Sequence, residues 1–124
     1  MPVIRAAQRL DLRGLARESA ALTERARSGR FAPNETEGGT LTITNHGMGG
    51  SLMATPILHQ PRCAILGVGR VQRRAVVVAD GDGERVAIRP MVYLTLTIDH
   101  RAIDGMQVNR YMGAMVRALE TWPP

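Results

Sequence analysis

The spacing of apolar residues changes period along this chain, and each change marks an element. In "LDLRGLARESAALTERARSGR", Leu12, Leu15, Ala16, Leu22 and Ala26 share one face at helical spacing, while Arg13, Arg17, Glu18, Glu24 and Arg25 lie mostly elsewhere. That pattern predicts an amphipathic helix. Asp11 is placed to cap its start and Gly29 to end it. "PVIRAA" before it reads as a short strand, and "FAPNETEGG" after it as a turn-rich connector.

Alternation then takes over. In "TLTITNHG", Leu41 and Ile43 point to one side of a strand, and Thr40, Thr42 and Thr44 to the other. "MGGSLMATPILHQP" is glycine-rich, then bounded by proline, and reads as irregular. "CAILGVGRVQ" and "RRAVVVAD" read as strands, "DGDG" as a hairpin turn and "ERVAIRP" as the returning strand. In "MVYLTLTI", Val92, Leu94, Leu96 and Ile98 line one face. After Gly105 the helical period returns: Val108, Tyr111, Met112, Met115, Leu119 and Trp122 form the stripe of a closing helix, its methionines read as core. A helix, a set of strands and a closing helix predict a single α/β domain over residues 1–124.

Composition narrows the class. Hydrophobic residues are 44% and charged residues 22%, an ordinary globular balance. Aromatics are 3%, so the core must be aliphatic. No apolar run is long enough to cross a bilayer, and "MPVIRAAQRL" lacks the regions of a signal peptide, so the expected location is the cytoplasm. The net charge is +5 and every cation is arginine. Such a balance suits an anionic ligand or nucleic acid. The arginines are dispersed and aromatics are few, which argues against nucleic acid. The single cysteine, Cys63, excludes an internal disulfide or a multi-cysteine metal site, and its apolar run predicts a buried, inert thiol.

Two glycine motifs lose on inspection. "GVGRVQ" opens like a dinucleotide fingerprint, but Gln72 stands where the third glycine belongs and strand follows; a close-packed strand is the better reading. "DGDGE" lacks the later glycine and glutamate of a calcium loop. His46, His59 and His100 show no ligand spacing, so no metal is expected.

"TIDHRAIDG" stands apart. It sets His100 at a strand end and Asp104 at a helix start. Taken alone, Asp104 reads equally as an N-cap and His100 as a satisfied strand-end histidine. Histidine is also the side chain that takes protons near neutral pH, and a catalytic base needs a donor for the developing oxyanion. A hydroxyl at another strand end, such as Thr44 in "TITNHG", fits that second role.

"TIDHRAIDG" resembles the His-x-x-x-Asp-Gly signature of the acyltransferase component of 2-oxo acid dehydrogenase complexes. "GGTLTITNHGMGGSLMATPILHQPRCAILGVGRVQRR" resembles the block before that signature, and "AIRPMVYLTLTIDHR" the strand leading into it. "TNHG" and "ATPIL" look closer to the succinyl and branched-chain members than to the acetyl type. The resemblance implies a chloramphenicol-acetyltransferase-like fold, a mixed sheet flanked by helices, assembled as trimers with the active site between subunits. It implies coenzyme A and a lipoyl group as substrates. His100 would be the general base, Thr44 the oxyanion donor reaching from a neighbouring subunit, and Asp104 the orienting carboxylate. No cofactor-binding residue is singled out.

The resemblance covers only the later half of the family's catalytic domain. The earlier half, the lipoyl domain and the docking domain have no counterpart in this sequence. A truncated chain, a half completed by a separate polypeptide, and a reduced self-assembling protein all fit. Each leaves sheet edge and apolar surface open, so association with itself or with a partner chain is expected. Two other functions stay open: a stand-alone coenzyme-A-dependent acyltransferase acting on a small-molecule hydroxyl or amine, and an inactive scaffold.

Overall fold

The computed structural model describes residues 1–30 and 32–123. Phe31 of the sequence-predicted connector, Pro124 and the side chain of Pro33 lie outside the described residues. The chain forms two compact units, Met1–Thr40 and Leu41–Pro124.

The first unit is built on helix α1, Leu12–Arg27. Its start is fixed as the sequence suggested: the Asp11 carboxylate accepts a 2.7 Å hydrogen bond from the Gly14 N–H, meeting one of the donors a helix start leaves open. Its end is a glycine-dependent reversal. Gly29 takes a φ of 67°, its N–H donates to Ala26 O, and the Arg30 N–H donates to Arg25 O. Only Leu22 of the apolar stripe is buried; Leu12 is 63% exposed. The expected strand in "PVIRAA" is not formed. Val3 donates one hydrogen bond to Glu35 O, and Ala7–Arg9 makes a 3-10 turn. An extended segment becomes a strand only against a ladder partner, and this unit holds none among the described residues. Arg25 pairs with Glu35 at 3.2 Å, and Arg5 donates to Asn34 O, which ties the connector to the unit.

The second unit holds five strands: β1 (Leu41–Asn45), β2 (Ala64–Val68), β3 (Gln72–Asp80), β4 (Gly83–Met91) and β5 (Leu94–Ile98). Helix α2, Gly105–Glu120, follows. β1 runs parallel to β2, and β5 antiparallel to β2, giving a mixed sheet in the order β1-β2-β5. β3 and β4 form a separate two-stranded ribbon turning at Gly81 and Asp82, where Gly81 supplies the left-handed φ of 61°. The "DGDG" hairpin and the irregular run after Gly47 stand as read from the sequence.

Register decides the faces. Thr44, Gly67 and Thr95 lie in one row across the sheet, and Thr42, Ile65 and Thr97 in the next on the same face. The other face carries Leu41, Ile43, Leu66, Leu96 and Ile98. On β1 it is the threonine face that is covered. Thr42 is buried, and Arg62 donates to its hydroxyl. Thr95 donates to Ala54 O at 2.8 Å, pinning the irregular segment over this face. Ile43 on the opposite side is 65% exposed.

The glycines of "GVG" serve packing. A Cβ on Gly69 would sit 2.1 Å from the Leu52 carbonyl oxygen. The apolar core among the described residues is thin: Leu22, Ile65 and Leu66 are buried. Val77 and Val86, paired on the ribbon, are 62% and 69% exposed. In α2, Val108, Met112 and Met115 are half-buried, but Tyr111 and Leu119 are exposed, as are Trp122 beyond the helix and Met48, Met53 and Met106. The expected methionine core is therefore only partly formed, and Cys63 is half-buried rather than buried. Among the described residues no helix is long and apolar enough to cross a membrane.

Candidate active site

The site begins where β5 ends. The Asp99 N–H donates to Cys63 O, the last tie of this strand to its neighbour. The chain then turns: Ala102 and Ile103 both donate to Asp99 O. His100 sits on this turn, exposed, and no hydrogen bond engages its ring among the described residues. The ring is free to meet a ligand, which a packed strand-end histidine would not be.

Two neighbours hold the turn. Arg101 grips Asp99 with both arms of its guanidinium, Nε to Oδ1 at 2.9 Å and Nη2 to Oδ2 at 2.6 Å. Its backbone N–H donates to the same carboxylate at 3.0 Å. The Arg101 side-chain hydrogen bonds, then its backbone one, pull the Asp99 carboxyl down to about 2, with smaller help from Gln60. Asp99 is well covered, its side chain 15% exposed, while that of Arg101 is 80% exposed.

Asp104 closes the segment. Its Oδ1 accepts from the Gln107 N–H at 2.8 Å, and the Gln107 side chain accepts from the Asp104 N–H at 3.2 Å. This reciprocal capping box launches α2. The cap reading of Asp104 is thus realised, and it places Asp104 one short turn from His100.

Thr44 is elsewhere. It lies half-buried in the row with Gly67 and Thr95, near the start of β5, whereas His100 follows the end of β5. At strand rise, five residues from Thr95 to His100 span roughly 16 Å. His100 and Asp104 flank the short turn between β5 and α2, with the Asp104 carboxylate engaged at the helix cap, and Thr44 lies toward the far end of the sheet.

Sequence reasoning passed over two features. One is the Asp99–Arg101 bridge, although opposite charges flanking a histidine in "DHR" are a readable signal. The other is the burial of His46, two residues beyond Thr44. Both its ring nitrogens are buried without a partner, and its Nε2 lies 3.2 Å from where a Gly67 Cβ would stand. Only the fold reveals that. Among the described residues no group of three His, Cys, Asp or Glu side chains could hold a metal.

The mixed sheet with its flanking helices is a chloramphenicol-acetyltransferase-like fold, here over part of a domain. A solved dihydrolipoamide acetyltransferase from Azotobacter vinelandii matches with a TM-score of 0.87 and 36% identity, over 97% of this chain and 48% of that one. For that enzyme, the roles of a serine, a histidine and an asparagine in catalysis have been investigated, the last two lying four residues apart. The family model for 2-oxoacid dehydrogenases acyltransferase (catalytic domain) matches residues 1–123, and the chain belongs to that family.

The acetyltransferase component of the pyruvate dehydrogenase complex of Mycobacterium bovis is 48% identical over 120 residues, which are 96% of this chain and 22% of that protein. The succinyltransferase component of the 2-oxoglutarate dehydrogenase complex of Bartonella vinsonii is 43% identical over 120 residues, 97% of this chain and 28% of that protein. The chain therefore spans about a quarter of these relatives' length and about half of the solved catalytic chain. Of these two relatives the acetyl type is the more similar, so overall identity does not follow the succinyl-like look of "TNHG".

Proposed function

We propose that this chain forms part of a dihydrolipoamide acyltransferase catalytic domain, moving an acyl group between a dihydrolipoyl thiol and coenzyme A. The observation that carries this reading is His100: exposed, its ring unengaged, on a turn locked by its neighbours. By order and by the same four-residue interval, His100 and Asp104 stand as the histidine and asparagine named for the Azotobacter enzyme; Thr44 precedes them in the same order as its serine, 56 residues before the histidine rather than 52.

The steps follow from the groups present. The His100 imidazole takes the proton of the attacking thiol. The sulfur then adds to the thioester carbonyl, forming a new C–S bond and placing negative charge on oxygen. The Thr44 hydroxyl donates to that oxyanion; loss of one such donor typically costs about 10²–10³-fold. The intermediate collapses by breaking the old C–S bond, and the departing sulfur recovers the proton from the imidazolium. Bonds broken and formed are alike, so the protein has only to lower the barrier.

Because Thr44 and His100 lie at opposite ends of one sheet, the Thr44 serving a given His100 comes from another copy of the chain. The uncovered faces of β1 and of the β3–β4 ribbon favour such an assembly, and a trimer is the closed arrangement that the resemblance suggests. The relatives are components of dehydrogenase complexes, which agrees with association. The remaining half of the domain would come from further chain or from a separate polypeptide.

The test is thioester exchange. The protein is incubated with acetyl- or succinyl-coenzyme A and dihydrolipoamide, with and without His100→Ala. Exchange that depends on His100 supports the assignment, and the two donors rank the acyl group. Exchange that survives the substitution contradicts the base. Absence of exchange in both proteins favours a scaffold, and transfer to a small hydroxyl or amine instead favours the stand-alone enzyme.

A further inference from the structure

The bridge across His100 has more features than a surface ion pair needs. Exposed pairs contribute little because two long side chains must be ordered in high dielectric. Here the carboxylate is well covered, the contact is bidentate, and a backbone N–H joins it. The two partners are the residues immediately before and after His100. Neither can shift without moving the backbone that aims the imidazole.

We propose that Asp99 and Arg101 are a positioning pair for His100, fixing the direction of the ring and engaging a carboxylate that would otherwise act on it. The inference rests on His100 being the base. Two physical effects are involved. The first is geometric: a misplacement of about 1 Å at a reacting group can cost about 10²-fold. The second is electrostatic. An unpaired carboxylate one residue away favours the imidazolium, and an imidazolium cannot accept the thiol proton. In the bridge the Arg101 guanidinium offsets the Asp99 charge. Titratable groups near the turn include Cys63, the residue before β2, which acts on Arg101, and Asp104, whose carboxylate is engaged at the helix cap; His59 and Arg62 belong to the segment whose Gln60 reaches Asp99.

The experiment uses the full chain with two readouts, the first independent of turnover. Ring resonances of His100 are titrated by NMR in the parent, Arg101→Ala, Arg101→Lys and the double variant Asp99→Asn/Arg101→Ala. In Arg101→Ala the His100 midpoint is expected to move to higher pH, with faster amide exchange at Ala102 and Ile103. The double variant is expected to return the midpoint toward the parent value, since no carboxylate is left. Arg101→Lys, which keeps charge but not the fork, is expected to fall between. In the exchange assay Arg101→Ala is expected to lose about ten- to hundredfold in kcat with KM little changed. A midpoint and amide exchange equal to the parent's would overturn the proposal, as would a raised KM with kcat intact, which would make Arg101 a substrate contact. A shifted midpoint in a protein without turnover would leave the pair standing and remove the acyltransferase reading instead.

Discussion

Thr44 and His100 occupy opposite ends of a single three-stranded sheet. Thr44 shares a row with Thr95 through Gly67, and His100 follows β5 at its other end. Strands are stiff, so no local motion brings the two together. If both serve one reaction, the site is completed by a second copy.

Complementation follows from that separation. Thr44→Ala and His100→Ala are each expected to reduce exchange by at least about a hundredfold. Unfolded together and refolded as a mixture, they should recover about a quarter of parental activity, the share of seams with both residues intact. A mixture no more active than its components would place both residues in one chain's site.

Gly67 is the middle member of the row between Thr44 and Thr95. A Cβ there would stand 2.5 Å from Thr95 Oγ1, 3.2 Å from His46 Nε2 and 3.3 Å from Pro56 Cγ. Gly67→Ala is expected to destabilise the protein by about 1–3 kcal/mol, the usual cost of overpacking. Urea melts measure it. A midpoint equal to the parent's would mean the segment over the row yields freely.

His46 bears the opposite expectation. Its two ring nitrogens are buried and unpaired. A buried polar group left without partners costs about 1–3 kcal/mol. His46→Leu keeps an apolar side chain of similar bulk and should raise the melting temperature. A lower one would show that the ring finds a partner in solution.

Acid should find the Asp99 bridge. The carboxyl sits at about 2 in the folded protein, against an ordinary 3.8. A depressed folded value means that the bridge stabilises fully above about pH 4 and loses its effect as pH falls toward 2. Asp99→Asn removes this titration, so its stability should fall less steeply than the parent's between about pH 4 and 2. Thermal melts across that window decide it, and parallel slopes would exclude Asp99 as the responsible group.

The capping box gives the last expectation. Asp104→Ala deletes the acceptor for the Gln107 N–H and should cost about 0.5–2 kcal/mol of stability. Asp104→Ser, which still caps, should restore the melting temperature. If activity returns with it, Asp104 acts through the helix; if activity stays low, the carboxylate itself is needed.

Much of the local structure is readable in the sequence. The cap at Asp11, the reversal at Gly29, the "DGDG" turn and the start of α2 depend on residues within a turn of one another, and such contacts leave local signatures. The cap at Asp104 was legible for the same reason, while the roles given to His100 and Thr44 rest on the resemblance of their motifs. "PVIRAA" misled because a strand depends on a partner that no local pattern reports. The methionine and leucine stripes misled in part because a stripe shows that a face will be covered, not by what.

The sequence by itself determined the two long helices, the hairpin and the strands of the second unit, and it carried the motifs by which the family is known, because these follow from side-chain type and short-range spacing. Tertiary structure alone decided that the threonine side of β1 is the covered one, that His46 is closed in over Gly67, and that Thr44 and His100 stand apart. These are consequences of strand register, and register is set by pairing between segments distant in the chain.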